Sequence, residues 1–154
     1  MFSPYLLFKF LHVLAVIAWV GGALITSVST MRLATTQDQA LLPAFAERNA
    51  FLGRVLFGPA ALLTLLAGIA TAVVGNLDFG AFWITWGFTG ILLSVVLGAV
   101  FIRRVTAQLG ELTANGAADT QRVRALQGRL ALLNSLNTLL LISAVWAMVF
   151  KPVL

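Results

Sequence analysis

The sequence is poor in charged residues and has no cysteine. Charged side chains make up 10% of its 154 residues, against roughly 25% in an average soluble domain. Hydrophobic residues make up 60%, and the mean hydropathy is +1.00. This leaves too little polar surface to cover a water-soluble globule, and the lack of cysteine excludes disulfides, iron–sulfur clusters and thiol nucleophiles. The composition therefore excludes a disordered chain and an ordinary cytosolic enzyme, and it indicates an integral membrane protein.

Acidic residues are scarcer than basic ones. Five Asp and Glu stand against ten Lys and Arg, which gives a formal net charge of +5. Such a surplus is common in nucleic-acid-binding proteins, where it forms a basic stripe on a soluble face. Here the basic residues fall in the gaps between apolar runs, so we expect a lipid bilayer as the partner and no nucleic acid.

Four apolar runs are long enough to cross a bilayer, which takes about 20 residues of helix. They cover residues 5–29, 55–75, 82–102 and 130–150. None alternates between polar and apolar residues as the strands of a membrane barrel do. The sequence predicts an all-α, four-helix transmembrane bundle that forms a single integral membrane domain over residues 1–154. We expect the first run to be retained, because it is longer than a signal-peptide core and contains Lys9.

The basic residues predict an orientation. The first and third connections are flanked by arginines, whereas Lys9 and Lys151 are the bases near the ends of the chain. Because basic residues concentrate on the cytoplasmic side, we expect both termini and the short second connection on the periplasmic side of a bacterial inner (cytoplasmic) membrane. The arginines are Arg32, Arg48, Arg54, Arg103, Arg104, Arg122, Arg124 and Arg129.

The two long connections carry different patterns. Residues 39–52 mix five large apolar side chains with Glu47 and Arg48, which predicts a short helix in the membrane interface. The third connection predicts an extension of the third span, a turn at Asn115–Gly116 and a new helix capped by Asp119. Pro59 is expected in the first turn of the second span, where its missing N–H costs little.

Small and polar residues predict how the helices pack. Small side chains recur every four residues within the spans, which lets helix backbones approach closely in lipid. These residues are Ala60, Thr64, Gly68 and Ala72, then Gly90, Ser94 and Gly98, then Ala18 and Gly22. Polar side chains on the first and last spans favour interhelical hydrogen bonds over a polar cavity; they are Thr26, Ser27, Thr30, Asn134, Ser135, Asn137 and Thr138.

One face of the first span could carry chemistry. Lys9, His12, Val16, Trp19 and Ala23 follow one another at spacings of three or four residues, so they share a helix face. At ~1.5 Å per residue, His12 lies roughly 10 Å below the outer edge of the membrane. An ionisable residue at that depth is a candidate functional site. Two roles stay open for its imidazole: a metal ligand, or a hydrogen-bonding group held by a neighbouring helix.

Motifs in the first and last spans resemble known families. The K-x-L-H sequence ending at His12 is followed after six residues by W-x-G-G from Trp19. This opening resembles HemJ-type protoporphyrinogen oxidases, copper-resistance D domains and a set of predicted integral membrane proteins of unknown function. The last span is similar to an N-E-x-P-T motif of the oxidases at Asn134 and Thr138, and Lys151 and Pro152 match their K-P end. The third span differs, because it has no lysine where the oxidases have one.

The resemblance implies a haem b site with a redox or haem-handling role. His12 corresponds to the histidine thought to ligate haem in the oxidases. Met148 lies near the same end of the bundle and is a candidate second axial ligand, as in other His/Met haem sites. A symmetric homodimer could instead supply two copies of His12. With Lys9 and Lys151 meeting the propionates and Trp19 on the histidine face, these five residues are the expected cofactor-binding set.

Other functions stay open. Copper could be held by His12 and Met148, because Cu(I) accepts imidazole and thioether ligands. Alternatively, Met148 fills a gap in the packing. A non-enzymatic structural or accessory membrane subunit, packed through Gly90, Ser94 and Gly98, is a further possibility, as is a small-solute transporter. No Asp or Glu lies inside a span, which argues against proton-coupled export. No catalytic residue is predicted.

Overall fold

The computed structural model describes residues 3–35, 41–114 and 120–152, and within these ranges it contains helices and no strand. Two π-helical segments join four of the α-helices in pairs, so the chain forms four long helical rods. Each rod is long and apolar enough to cross a membrane. The predicted all-α, four-helix bundle is therefore confirmed. The helices are α1 (Pro4–Thr35), α2 (Leu42–Leu52), α3 (Gly58–Val74), α4 (Phe82–Val96), α5 (Arg103–Ala114) and α6 (Thr120–Phe150), and the π-helical segments are Gly53–Phe57 and Leu97–Ile102.

Helices α3, α1, α6 and α4 pack side by side in that order, with few contacts between α3 and α4, whereas α2 packs against α5 and so brings the second and third rods together at their other ends. Helices α1 and α6 are antiparallel, because Thr138 donates to the Ala23 carbonyl while Gln127, earlier on α6, donates to the later Leu33 carbonyl. Pro4 and Phe150 consequently lie at one end of the bundle, here called the terminal end. The opposite end is called the arginine end. Which end faces the periplasm stays a prediction.

The rods extend past the predicted spans at the arginine end because a second apolar core holds them together there. One buried cluster lies midway along the bundle and consists of Trp19, Ala23, Ala60, Ala61 and Leu141. The other lies at the arginine end and consists of Leu33, Leu42, Val105, Leu109, Val123 and Leu130. Hydropathy marks the lipid-facing length of a helix, whereas the helix itself continues as long as its buried face finds partners.

The helix predicted at residues 39–52 forms from Leu42 onward, but it does not lie alone in the interface. Leu42 is fully buried, and Ala46 packs against α5. The backbone stays helical from the π-helical segment into α3, and Pro59 lies in the first turn of α3, as predicted. The π-helical turn before it fits this position: the Gly58 N–H donates to the Gly53 carbonyl, five residues back. A wider turn accommodates a proline whose ring would otherwise meet the carbonyl four residues earlier.

The predicted extension of the third span is confirmed by α5, which follows the second π-helical segment. The predicted turn at Asn115–Gly116 and the cap at Asp119 lie outside the described residues.

Interhelical hydrogen bonding by the polar side chains is also confirmed. Ser94 donates to Asn137 at 2.6 Å, joining α4 to α6, and the Ser27 and Ser135 hydroxyls are 3.3 Å apart, joining α1 to α6.

Candidate functional site

The His12 side chain lies in the contact between α1 and α3. It shares a helix face with Ala15 and Trp19, which are 3% and 5% exposed. The half-buried imidazole rests on Gly68 of α3: a Cβ placed there would be 3.0 Å from the ring atoms Nδ1 and Cε1. The glycine leaves the space that the ring occupies, so the imidazole faces its neighbouring helix.

A hydrogen bond fixes the proton of the His12 ring. Nδ1 is 2.8 Å from the main-chain carbonyl oxygen of Thr64. Because a carbonyl can only accept, Nδ1 carries the hydrogen, and in the neutral ring the lone pair is on Nε2. No described residue forms a hydrogen bond with Nε2. Histidines that bind metals are commonly held in this way, with the other ring N–H donated to a carbonyl or carboxylate.

Thr64 has a second polar group besides the carbonyl that accepts from His12, namely its side-chain hydroxyl. It is 3% exposed, and its hydroxyl oxygen has no hydrogen-bond partner among the described residues. The hydroxyl of Thr71, two turns further along α3, donates to the Ala67 carbonyl at 2.7 Å. The four-residue spacing of small side chains predicts only a packing role for Thr64, because nothing in the sequence sets the register that brings α3 against His12.

Met148 lies at the depth of His12 but in another interface. The Thr138–Ala23 and Gln127–Leu33 hydrogen bonds set a register that brings the end of α6 level with His12. The methyl group of Met148 packs against the Gly87 position of α4. The structure thus brings the two predicted ligands to one depth without bringing them together. Joint ligation by His12 and Met148 stays a prediction.

The remaining predicted site residues are Lys9 and Lys151, toward the terminal end from His12, and Trp19, toward the arginine end. Lys9 and Lys151 are exposed at the terminal end, with their ammonium groups 5.8 Å from the Tyr5 ring and 5.1 Å from the Trp83 ring. Trp19, two helical turns below His12, packs among apolar residues of α3 and α6. The surroundings of the two lysines are thus an aromatic ring and open surface, whereas the surroundings of Trp19 are those of a packing residue.

The described residues contain no group of three or more His, Cys, Asp and Glu that could hold a metal ion. The chain has a single histidine, His12. A metal or haem iron at this end of the bundle would therefore take that imidazole as its histidine ligand from this chain, and its other ligands would have to be of another kind or come from another molecule.

Comparison with known proteins places the chain in a family. Residues 6–152 match the family described as predicted integral membrane protein (DUF2269). No curated protein and no solved structure matched the chain. The matched range includes the K-x-L-H opening, all of the four helical rods except the first two residues of α1, and Lys151, which follows α6. The chain therefore belongs to this family of predicted integral membrane proteins.

Proposed function

We propose that the protein binds haem b through Nε2 of His12 and has a redox or haem-handling role. The observation that carries the proposal is the hydrogen bond from Nδ1 of His12 to the Thr64 carbonyl. It holds the ring with the lone pair on the nitrogen that has no partner. Histidine is a common protein ligand of haem iron. The resemblance of the K-x-L-H opening to the HemJ-type oxidases adds support.

The residues at the terminal end suit such a group. Gly68 leaves room for the imidazole, and the Thr64 carbonyl orients it and makes Nε2 a better donor to a metal. Lys9 and Lys151 are exposed at the same end of the bundle, where they would meet the carboxylates of a haem whose ring is buried in the apolar layer. When bound, haem iron supplies one-electron chemistry that protein side chains do not provide.

The packing of Met148 bears on the second axial ligand. Its methyl group is held against Gly87 in the contact between α4 and α6, whereas His12 lies between α1 and α3. This arrangement supports a haem site in which Met148 is not a ligand of the iron. A second copy of the chain, related by a two-fold axis, would supply its own His12 as the other ligand, and this is the arrangement that we favour.

The proposal is tested by haem titration of the purified protein in detergent, with spectra of the oxidised and reduced forms. We expect a Soret band that His12→Ala abolishes. His12→Asn is the matched control: its side-chain amide can still donate to the Thr64 carbonyl, but it has no atom in place of Nε2. We expect this variant to keep the wild-type thermal stability and to lose haem. A wild-type protein that takes up no haem, or a His12→Asn variant that keeps it, would contradict the proposal.

A non-enzymatic structural subunit is the second candidate, and the same hydrogen bond favours it, because a His12 without a ligand would simply fasten α1 to α3. In that case His12→Asn would retain every property of the wild type. The small residues of the third span that could pack against a partner are largely used within the chain: Gly90 faces Ala144, and Ser94 donates to Asn137. A copper site formed by His12 and Met148 would need the two interfaces to rearrange.

A further inference from the structure

A cavity of about 270 Å³ opens on the surface at the arginine end, away from His12. It lies between the third rod and α6, beside the π-helical segment that joins α4 to α5. Its lining side chains recur on one face of the third rod, with one arginine added from α6. They are Val100, Phe101, Arg104, Val105, Gln108 and Arg129.

Two positive charges meet at this cavity without a counter-charge. Arg104 and Arg129 come from different helices, and both are exposed. No hydrogen bond or ion pair joins either guanidinium to another described residue, and no carboxylate lines the cavity. Two like charges at one site repel each other, so an anion bound between them would be stabilising. The planar guanidinium group forms paired hydrogen bonds to phosphate oxygens particularly well.

The position of the cavity along the helix indicates where the anion comes from. The apolar run of the third span ends at residue 102, so the cavity lies at the level where a lipid headgroup begins. Val100 and Phe101 on its rim are 52% and 45% exposed, which gives an apolar surface beside the charged one. Basic pockets between transmembrane helices are typical sites for anionic lipid headgroups.

The local backbone and the size of the cavity agree with this. The π-helical segment Leu97–Ile102 contributes Val100 and Phe101, and such wider turns are frequent at functional sites. Pockets for drug-sized ligands measure about 300–1,000 Å³, so this smaller cavity suits a single headgroup. We propose that it binds the phosphate group of an anionic phospholipid between Arg104 and Arg129.

The test is a lipid titration of the delipidated full-length protein in detergent, read by native mass spectrometry with phosphatidylglycerol as the probe. We expect Arg104→Gln and Arg129→Gln each to weaken binding about fivefold and the double variant about 25-fold. Arg103→Gln is the matched control, because it removes the same charge at the same depth from a residue outside the cavity; we expect a change of less than about twofold.

Two further arms make the outcome decisive. Phosphatidylcholine carries the same phosphate group with a positive choline beside it, so it is expected to bind more weakly and to lose less affinity in Arg104→Gln than phosphatidylglycerol does. Inorganic phosphate is the competitor: if it binds as tightly as the lipid with the same dependence on both arginines, the site is one for free phosphate and the proposal is wrong. Equal losses in Arg103→Gln and Arg104→Gln would also overturn it. Arg104→Lys guards against misfolding, because it keeps the charge without the forked donor and is expected to give an intermediate loss.

Discussion

Two helix contacts near the terminal end use the same packing arrangement for different residues. In the contact between α1 and α3, His12 lies over Gly68; in the contact between α4 and α6, Met148 lies over Gly87. The methionine methyl makes van der Waals contacts only. The histidine also donates to a main-chain carbonyl and keeps a lone pair without a partner. A glycine beneath a large side chain therefore indicates close packing and no more. A candidate ligand is distinguished by a lone pair that has no hydrogen-bond partner, as on Nε2 of His12.

The largest expected difference between these contacts is in haem affinity. Loss of a group that orients a ligand costs about 10–100-fold in metal affinity, and we expect loss of the ligand itself in His12→Ala to cost at least about 100-fold. Met148→Leu should change the affinity by less than about threefold, because the thioether packs against α4. Soret titrations of both variants measure this.

Met31→Leu is the control for the methionine, because Met31 is exposed on α1 far from His12 and the chemical change is the same. A Met148→Leu variant that loses haem as completely as His12→Ala, while Met31→Leu does not, would make Met148 the second ligand. The contact between α4 and α6 would then have to open when haem binds.

The next difference is in the stability cost of adding a methyl group to each glycine. An alanine at position 68 would push against a ring held by its hydrogen bond, whereas at position 87 it would meet the flexible end of Met148. Both changes gain similar helix propensity. We expect Gly68→Ala to be less stable than Gly87→Ala by about 1 kcal/mol, measured by unfolding in mixed micelles.

Gly21→Ala serves as the reference, because a Cβ there would meet nothing within 4 Å. If Gly68→Ala and Gly87→Ala lose equal stability relative to this reference, the ring of His12 is no more firmly held than the end of Met148. The contrast between the two contacts would then be lost.

A smaller effect on stability is expected from the side-chain hydrogen bond that joins α4 to α6. Ser94 donates to Asn137 at 2.6 Å, and both side chains are buried. A double-mutant cycle with Ser94→Ala and Asn137→Ala should give a coupling energy of about 0.6 kcal/mol, the average for such bonds between membrane helices. The Ser27–Ser135 pair, at 3.3 Å, should give less. A Ser94–Asn137 coupling indistinguishable from zero would show that this bond does not hold the two helices together.

The smallest expected effect concerns the Thr64 hydroxyl, which is buried without a partner. Thr64→Val keeps the shape and the main-chain carbonyl that accepts from His12, so we expect it to raise stability by roughly 0.5 kcal/mol. Thr71→Val is the matched control, since it removes a hydroxyl that does donate to a carbonyl, and it should lower stability. Lower stability or weaker haem uptake in Thr64→Val would assign the hydroxyl a role at the site.

The sequence predicted the bundle because crossing a bilayer requires long apolar helices. Each of the four runs lies within one rod, except that the second run ends one residue past Val74. The sequence did not predict where the rods end. Residues 42–52 look amphipathic and isolated in the sequence, but Leu42 and Ala46 find partners on α5, which lies more than fifty residues further along the chain. Contacts of that kind depend on the register between helices, and hydropathy does not encode register.

The same limit applies to the site. The depth of His12 and the matching depth of Met148 followed from counting residues along two helices. The direction in which each side chain points depends on which helix lies beside it. The order α3, α1, α6, α4 separates His12 from Met148 and brings it to Thr64 and Gly68. Neither of those residues has a signal in the sequence beyond its small size.

The most direct test of the account uses the fact that the chain contains one histidine. Labelling histidine with ¹⁵N gives two ring resonances, and both belong to His12. In the neutral ring, we expect Nδ1 to carry the proton and Nε2 to be bare, and added haem to perturb the Nε2 resonance. A proton on Nε2 instead, or an Nε2 resonance that haem leaves unchanged, would contradict the claim that His12 is held as a ligand.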